Sequence, residues 1–199
     1  MKYDFMIKTY GTIYLNLVKD KIKDKKMMKD IKKEYRLIME RASDIGSKNM
    51  LLSSYCLAGV FIAMNRVDKL DAETNYSFLR DGFKGNKLIR MFLGDAKTYY
   101  SEKKMEARRK WSKDTYERKY KNDWLVDVVP GDDVHEFGFD YKECGVCKLC
   151  KDEGCFELAK YLCRLDFLIV EVIGIKLDRT KTLAEGGDLC DFRFRKKGN

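Results

Sequence analysis

The chain has 199 residues, of which 45 % are hydrophobic and 13 % aromatic, with a single proline. That composition belongs to a globular protein with room for one sizeable core and excludes a disordered or collagen-like chain. Lys and Arg outnumber Asp and Glu by 41 to 32, a net charge of +9, but the longest apolar run, Tyr55 to Met64, is half of the ~20 residues that a membrane-spanning helix needs.

Met6, Tyr10, Ile13 and Leu17 fall at helical spacing, and Met28, Ile31, Tyr35, Ile38, Ala42 and Ile45 repeat it in a second helix. Ser47 is placed to cap a third, Met50 to Val67, which is apolar nearly all round and so expected at the centre of a bundle. Asp71 starts a fourth segment through Leu93, interrupted near Gly82 and Gly85; Gly94 and Asp95 then mark a break before a highly charged helix, Ala96 to about Tyr120. Two basic runs, Lys19 to Lys33 and Lys97 to Lys121, interleave acidic residues and carry no nucleic-acid motif, so they read as solvated helix faces. Neither a nucleic-acid nor a membrane partner is expected. The stripe from Met28 to Ile45 suits a homodimer interface, although such stripes more often face the chain's own core. The N-terminus lacks the apolar stretch of a secretory signal, so a cytoplasmic location is expected, where the seven cysteines are free thiols, ligands or catalytic groups rather than disulfides.

Composition changes at Trp124. Trp124 to Val129 is β-branched and aromatic, Pro130 to Asp133 is turn-like, and Val134 to Tyr141 alternates in part, which predicts two strands. A cysteine loop follows, then a helix from about Phe156 to Ile173. Last comes a hairpin of Leu177 to Leu183 and Cys190 to Arg195, turned by Glu185, Gly186, Gly187 and Asp188. The expected fold class is α+β in a single domain, 1–199: an N-terminal helical bundle, 1–122, packed on a small antiparallel sheet of about four strands within 123–199.

Cys144, Cys147, Cys150 and Cys155 are spaced C-x2-C-x2-C-x4-C, with Cys163 beyond. This departs from the ferredoxin-type iron–sulfur spacing and lacks the two separated knuckles of a zinc site. Cys144, Cys147 and Cys163 are the set that would hold zinc or an iron–sulfur cluster; the leading reading requires no cofactor. Asp166 follows Cys163 by one helical turn, so the two share a face, and an acid flanked by Leu165 and Phe167 needs a partner. Cys190 points inward beside Phe192 and Phe194, with Asp191 facing the other way and Asp188 at the turn; a reactive thiolate there would need Arg179 or Arg193 close by. His135 is the one histidine, so a multi-histidine metal centre is excluded.

The strings FDYKECGVC, YLCRLD and RTKTLAEGGDLCDFRFR, spread over roughly Trp124 to Arg195, resemble the L-2-amino-thiazoline-4-carboxylic acid hydrolase family, most firmly at Cys144, Cys163 and Cys190. A more distant likeness, the glycine turn followed by Cys-x-Phe, is to ligand-binding domains of the 4-vinyl reductase type, related to TRAPP subunits. The first resemblance implies hydrolysis of a small carboxylate substrate by opening a C–N or C–S bond of a cyclic amidine or isothiourea. It would use Cys190 or Cys163 as nucleophile, Asp166 and Asp191 for the amidinium and the water, and Arg179 and Thr180, with Asp188, for the substrate. The second implies a non-catalytic ligand-binding or sensor domain, and the cysteine density a metal or redox protein. A pocket lined by an acid and thiols would favour the hydrolase, and one lined by Phe and Met with the cysteines outside a sensor.

Overall fold

The computed structural model describes residues 4–86, 89, 91 and 93–196. Eight helices precede or interleave with four strands among these residues: α1 Phe5–Val18, α2 Lys25–Arg41, α3 Leu52–Val67, α4 Ala72–Gly85, α5 Ala96–Tyr99, α6 Glu102–Thr115, β1 Leu125–Pro130, β2 Phe137–Glu143, α7 Gly145–Asp152, α8 Ala159–Ile173, β3 Ile175–Asp178 and β4 Cys190–Lys196. None of these helices is long and apolar enough to cross a membrane. The α+β class with a four-stranded antiparallel sheet is as expected, in the order β1-β2-β4-β3.

The bundle follows its apolar stripes. Asp4, Asp24 and Asp71 cap α1, α2 and α4 by accepting backbone N–H bonds in the first turn. α3, buried from Leu52 through Met64 apart from its two serines, is packed by α1, α2, α4 and α7. The α2 stripe of Ile31, Tyr35, Ile38 and Met39 is spent on this core, and the Tyr35 hydroxyl donates to the Ile7 carbonyl at 2.7 Å. Ser47 does not cap α3. The helix starts at Leu52, after a turn in which Asn49 Oδ1 accepts from the Leu51 N–H.

Gly82 does not interrupt α4, which runs to Gly85; of the expected reach to Leu93, residues 87, 88, 90 and 92 lie outside the described ones. Gly82 is where α4 meets α1, and a Cβ there would lie 2.4 Å from the Leu17 carbonyl oxygen. Backbone cannot yield as a side chain does. Gly82→Ala should therefore destabilise the protein by about 1–3 kcal/mol, although alanine is the better helix former by roughly 1 kcal/mol. Thermal unfolding of the variant checks this, and an unchanged or raised midpoint would refute the close approach.

The charged helix is shorter than its pattern suggested, because Ser101 is extended between α5 and α6 and the helix ends at Thr115. There Ser112 Oγ donates to the Val126 carbonyl at 2.7 Å and Thr115 Oγ1 accepts from the Val126 N–H at 3.4 Å, tying α6 to the edge strand β1. Nor is this helix wholly solvated. Arg108 is buried over the Tyr99 and Phe137 rings, its NH1 donating to the Tyr99 carbonyl at 2.6 Å.

Strand β2 begins at Phe137 rather than Val134, since Asp132 folds 131–136 into a turn by accepting from the Val134 and His135 N–H groups. The closing hairpin also differs: β3 is Ile175–Asp178, and the chain leaves the sheet at Arg179 to return only at Cys190. The register pairs Phe137 with Phe194, Phe139 with Phe192 and Tyr141 with Cys190, giving an inner aromatic face. The outer face is charged, with Arg193 paired to Asp140, Arg195 to Asp178 and Lys142 to Asp127. α8 packs beside β3, α7 against α3. Where the inner sheet face, α3, α7 and α8 converge, a cavity remains.

Candidate active site

The cavity has a volume of about 100 Å³. α3 and the turn before it supply Leu51, Ser54 and Leu57, the sheet Tyr141, Cys190 and Phe192, and the start of α7 Cys144 and Val146; Trp124 also lines it. α8 contributes Leu162, Leu165, Asp166 and Ile169, the i, i+3, i+4, i+7 face of one helix, and Cys163 one turn before Asp166. Three thiols and one carboxylate thus meet in an otherwise mostly apolar space. Cys163, Asp166 and Cys190, which the sequence singled out, are brought together here.

Asp166 is the charged side chain of the described lining. It keeps 35 % of its side-chain surface open, as a residue of a cavity wall does. Burial among apolar neighbours pushes its pKa up to about 6, and Arg179 offsets part of that rise. Arg179 lies between the Phe167 and Phe192 rings with its side chain 5 % exposed; NH1 donates to Asp166 Oδ2 at 2.8 Å and NH2 to the Cys163 carbonyl at 3.0 Å. Its fork is committed to these two acceptors.

The linkage has a definite sign. Between pH 3.8, the ordinary carboxyl value, and about 6, the folded chain holds a proton on Asp166 that the unfolded chain has lost. The stability from this proton is fully present below that window and lost as pH rises through 6. Asp166→Asn should flatten the corresponding fall in melting temperature between pH 4 and pH 6; a fall as steep as the wild type's would place its source elsewhere.

The thiols differ in kind. Burial pushes Cys190 up to about 11, although its sulfur accepts from the Leu183 N–H at 3.2 Å, and burial likewise raises Cys163. Cys144 is shifted the other way. It is the N-cap residue of α7, although its sulfur makes no capping hydrogen bond, and the Cys147 thiol, followed by the nearby N–H groups of Cys147 and Val146, lowers its pKa below the ordinary thiol range against the effect of burial. Cys147, one turn on, is raised by the same contact. The cysteine spacing assigns Cys144 a ligand's role and its segment a loop, whereas Gly145–Asp152 form α7. The missed signal was a C-x2-C that follows a strand directly and opens a helix.

Asp191, Thr180 and Asp188 lie away from the cavity lining. Asp191 accepts from the N–H groups of Thr180 and Lys181, both at 2.9 Å, and from the Thr180 hydroxyl, which pins the loop to β4 on the outer face. Asp188 is exposed and paired with Lys181, and Glu185 accepts from Thr182 Oγ1. His135 sits on the outer side of the sheet, between Asp132 and Asp178. Of the cysteine set Cys144, Cys147 and Cys163, the first and third line the cavity and the second lies behind Cys144. Among the described residues, no group of three or more His, Cys, Asp or Glu side chains is disposed to hold a metal ion.

No curated protein and no solved structure matches this chain. A family model does match, over residues 57–194, a span that begins within α3 and takes in every lining residue of the cavity from Leu57 onward. By that match the chain belongs to the L-2-amino-thiazoline-4-carboxylic acid hydrolase family.

Proposed function

We propose that the cavity opens a small cyclic amidine or isothiourea by hydrolysis, with Cys144 as the nucleophile and Asp166 as anchor for the amidinium and base for the water. The observation that carries this reading is the convergence of Cys144 and Asp166 on one cavity, with their proton affinities shifted in opposite senses. Cys144 is biased toward the thiolate, while Asp166, with a pKa of about 6, ionises just below neutrality. The described lining offers no Lys or Arg to a ligand carboxylate, so recognition rests on the cationic end of the ligand.

The Cys144 thiolate adds to the amidinium carbon, forming a C–S bond. The ring C–S or C–N bond breaks, and the departing heteroatom takes a proton from solvent. The product of this half-reaction is an isothiouronium adduct on Cys144 where the ring C–S bond breaks, and a thioimidate-type adduct where the C–N bond breaks. Water then attacks the same carbon as Asp166 removes one of its protons; the second passes to solvent as the carbonyl forms and the Cys144 thiolate leaves. Cys163 and Cys190 pack the wall as protonated thiols. Arg179 is a positioning residue for Asp166 rather than a grip on the substrate, and Asp191 and Thr180 hold the loop that carries it. The reduced protein incubated with 2-amino-thiazoline-4-carboxylate should release carbamoyl-cysteine and, when quenched early, carry an adduct on the Cys144 peptide. Binding of the compound without product would instead favour a ligand-binding domain.

A further inference from the structure

We propose that Cys144 and Cys147 form a reversible dithiol–disulfide couple that exchanges with small-molecule disulfides entering the cavity, Cys144 being the attacking thiol and Cys147 the resolving one. β2 ends at Glu143, and α7 begins at Gly145 with Cys144 as its extended N-cap and Cys147 as its third residue. Cys144 and Cys147 are thus one helical turn apart at the helix start, with the Cys147 thiol as the largest influence on the Cys144 sulfur. One helical turn separates Cα atoms by roughly 5 Å, within the span of about 4.4–6.8 Å that a disulfide bridges. Both are free thiols in this structure.

Access orders the pair. Cys144 is half-buried and lines the cavity, whereas Cys147 is 6 % exposed and lies behind it. A disulfide arriving through the cavity meets Cys144 first. Its thiolate attacks one sulfur, giving a mixed disulfide and releasing one small thiolate. Cys147 then loses its proton and attacks the Cys144 sulfur from the protein side, forming Cys144–Cys147 and expelling the second small thiolate. Two electrons and two protons pass from the protein to the small disulfide, which leaves as two thiols. Cys150 and Cys155, toward the other end of α7, also interact, with Cys155 lowered and Cys150 raised, but neither lines the cavity. They serve as an internal control for access.

The couple rests on the helical spacing of the two cysteines and their order of access; its consequence for turnover rests on the function proposed above, because oxidation would withdraw the Cys144 thiolate. The test is to expose the native reduced protein to a graded series of glutathione and glutathione disulfide, quench it in acid, alkylate the free thiols and map the peptides. The expected result is a Cys144–Cys147 disulfide that forms before any Cys150–Cys155 disulfide and is fully reversed by dithiothreitol. Cys147→Ser should stop at glutathione on Cys144. A Cys144 that stays alkylatable under excess glutathione disulfide, or prior oxidation of Cys150 and Cys155, would overturn the proposal. Peptide mapping reads the redox state directly, so it gives its answer whether or not the protein turns over an isothiourea.

Discussion

Cys144→Ser should lower turnover of an isothiourea substrate by at least about 10³-fold while leaving the melting temperature unchanged or raised. The two halves of this result have separate causes. Serine is among the best N-cap residues, so the start of α7 keeps or gains stability. A hydroxyl in the same place does not ionise near neutral pH, and the contacts from Cys147 and from the Val146 and Cys147 N–H groups then have no thiolate to stabilise. Cys190→Ser supplies the contrast. Its thiol, held up at about 11, is protonated at neutral pH and packs in the inner face opposite Tyr141, so turnover there should stay within about tenfold of wild type. Steady-state rates and thermal melts of the two variants decide the matter; equal losses, or a Cys144→Ser enzyme within tenfold of wild type, would remove Cys144 from the role of nucleophile.

The helices were legible because their apolar residues recur at a period that only a helix satisfies: the α2 stripe is buried along Ile31, Tyr35, Ile38 and Met39. Cys163 and Asp166 were legible as neighbours for the same reason. What the sequence hid were effects that depend on a partner remote in the chain. Gly82 looked like a breaker because nothing local shows that Leu17 will lie against it. The first strand of the hairpin ran too long because Asp191 captures the Thr180 and Lys181 N–H groups and draws the chain out of the sheet. Arg108 sat in a charged run, and only the fold brings Tyr99 and Phe137 beneath it. The lowered pKa of Cys144 was hidden for a related reason: a thiol's acidity is set by what stabilises its thiolate, and the cysteine spacing alone does not show that Cys144 stands at the start of a helix with Cys147 one turn on.

Arg179→Met should shift the pH dependence of turnover upward and destabilise the fold at neutral pH. Methionine preserves the apolar filling between Phe167 and Phe192 but removes both N–H donors, so Asp166 loses the cation that lowers its pKa. An opposite charge at this distance typically lowers a carboxyl by roughly 1–3 pH units. Its loss should carry the rising limb of the rate profile from near pH 6 to about pH 7–9. Turnover at pH 7 then falls by about tenfold and recovers in alkaline buffer, a pattern that a merely unfolded fraction would not produce. Breaking a buried ion pair costs about 3–5 kcal/mol when the remaining charge is trapped. Asp166 has an open side and can take up a proton, so the expected loss is nearer 2 kcal/mol. Adding Asp166→Asn should return part of it, since no carboxylate is then left unpaired. Lysine should not substitute for Arg179, because one ammonium does not reproduce the planar fork that holds the Asp166 carboxylate and the Cys163 carbonyl together. If the limb in Arg179→Met stays near pH 6, the guanidinium does not tune Asp166, and its place between the two rings is packing alone.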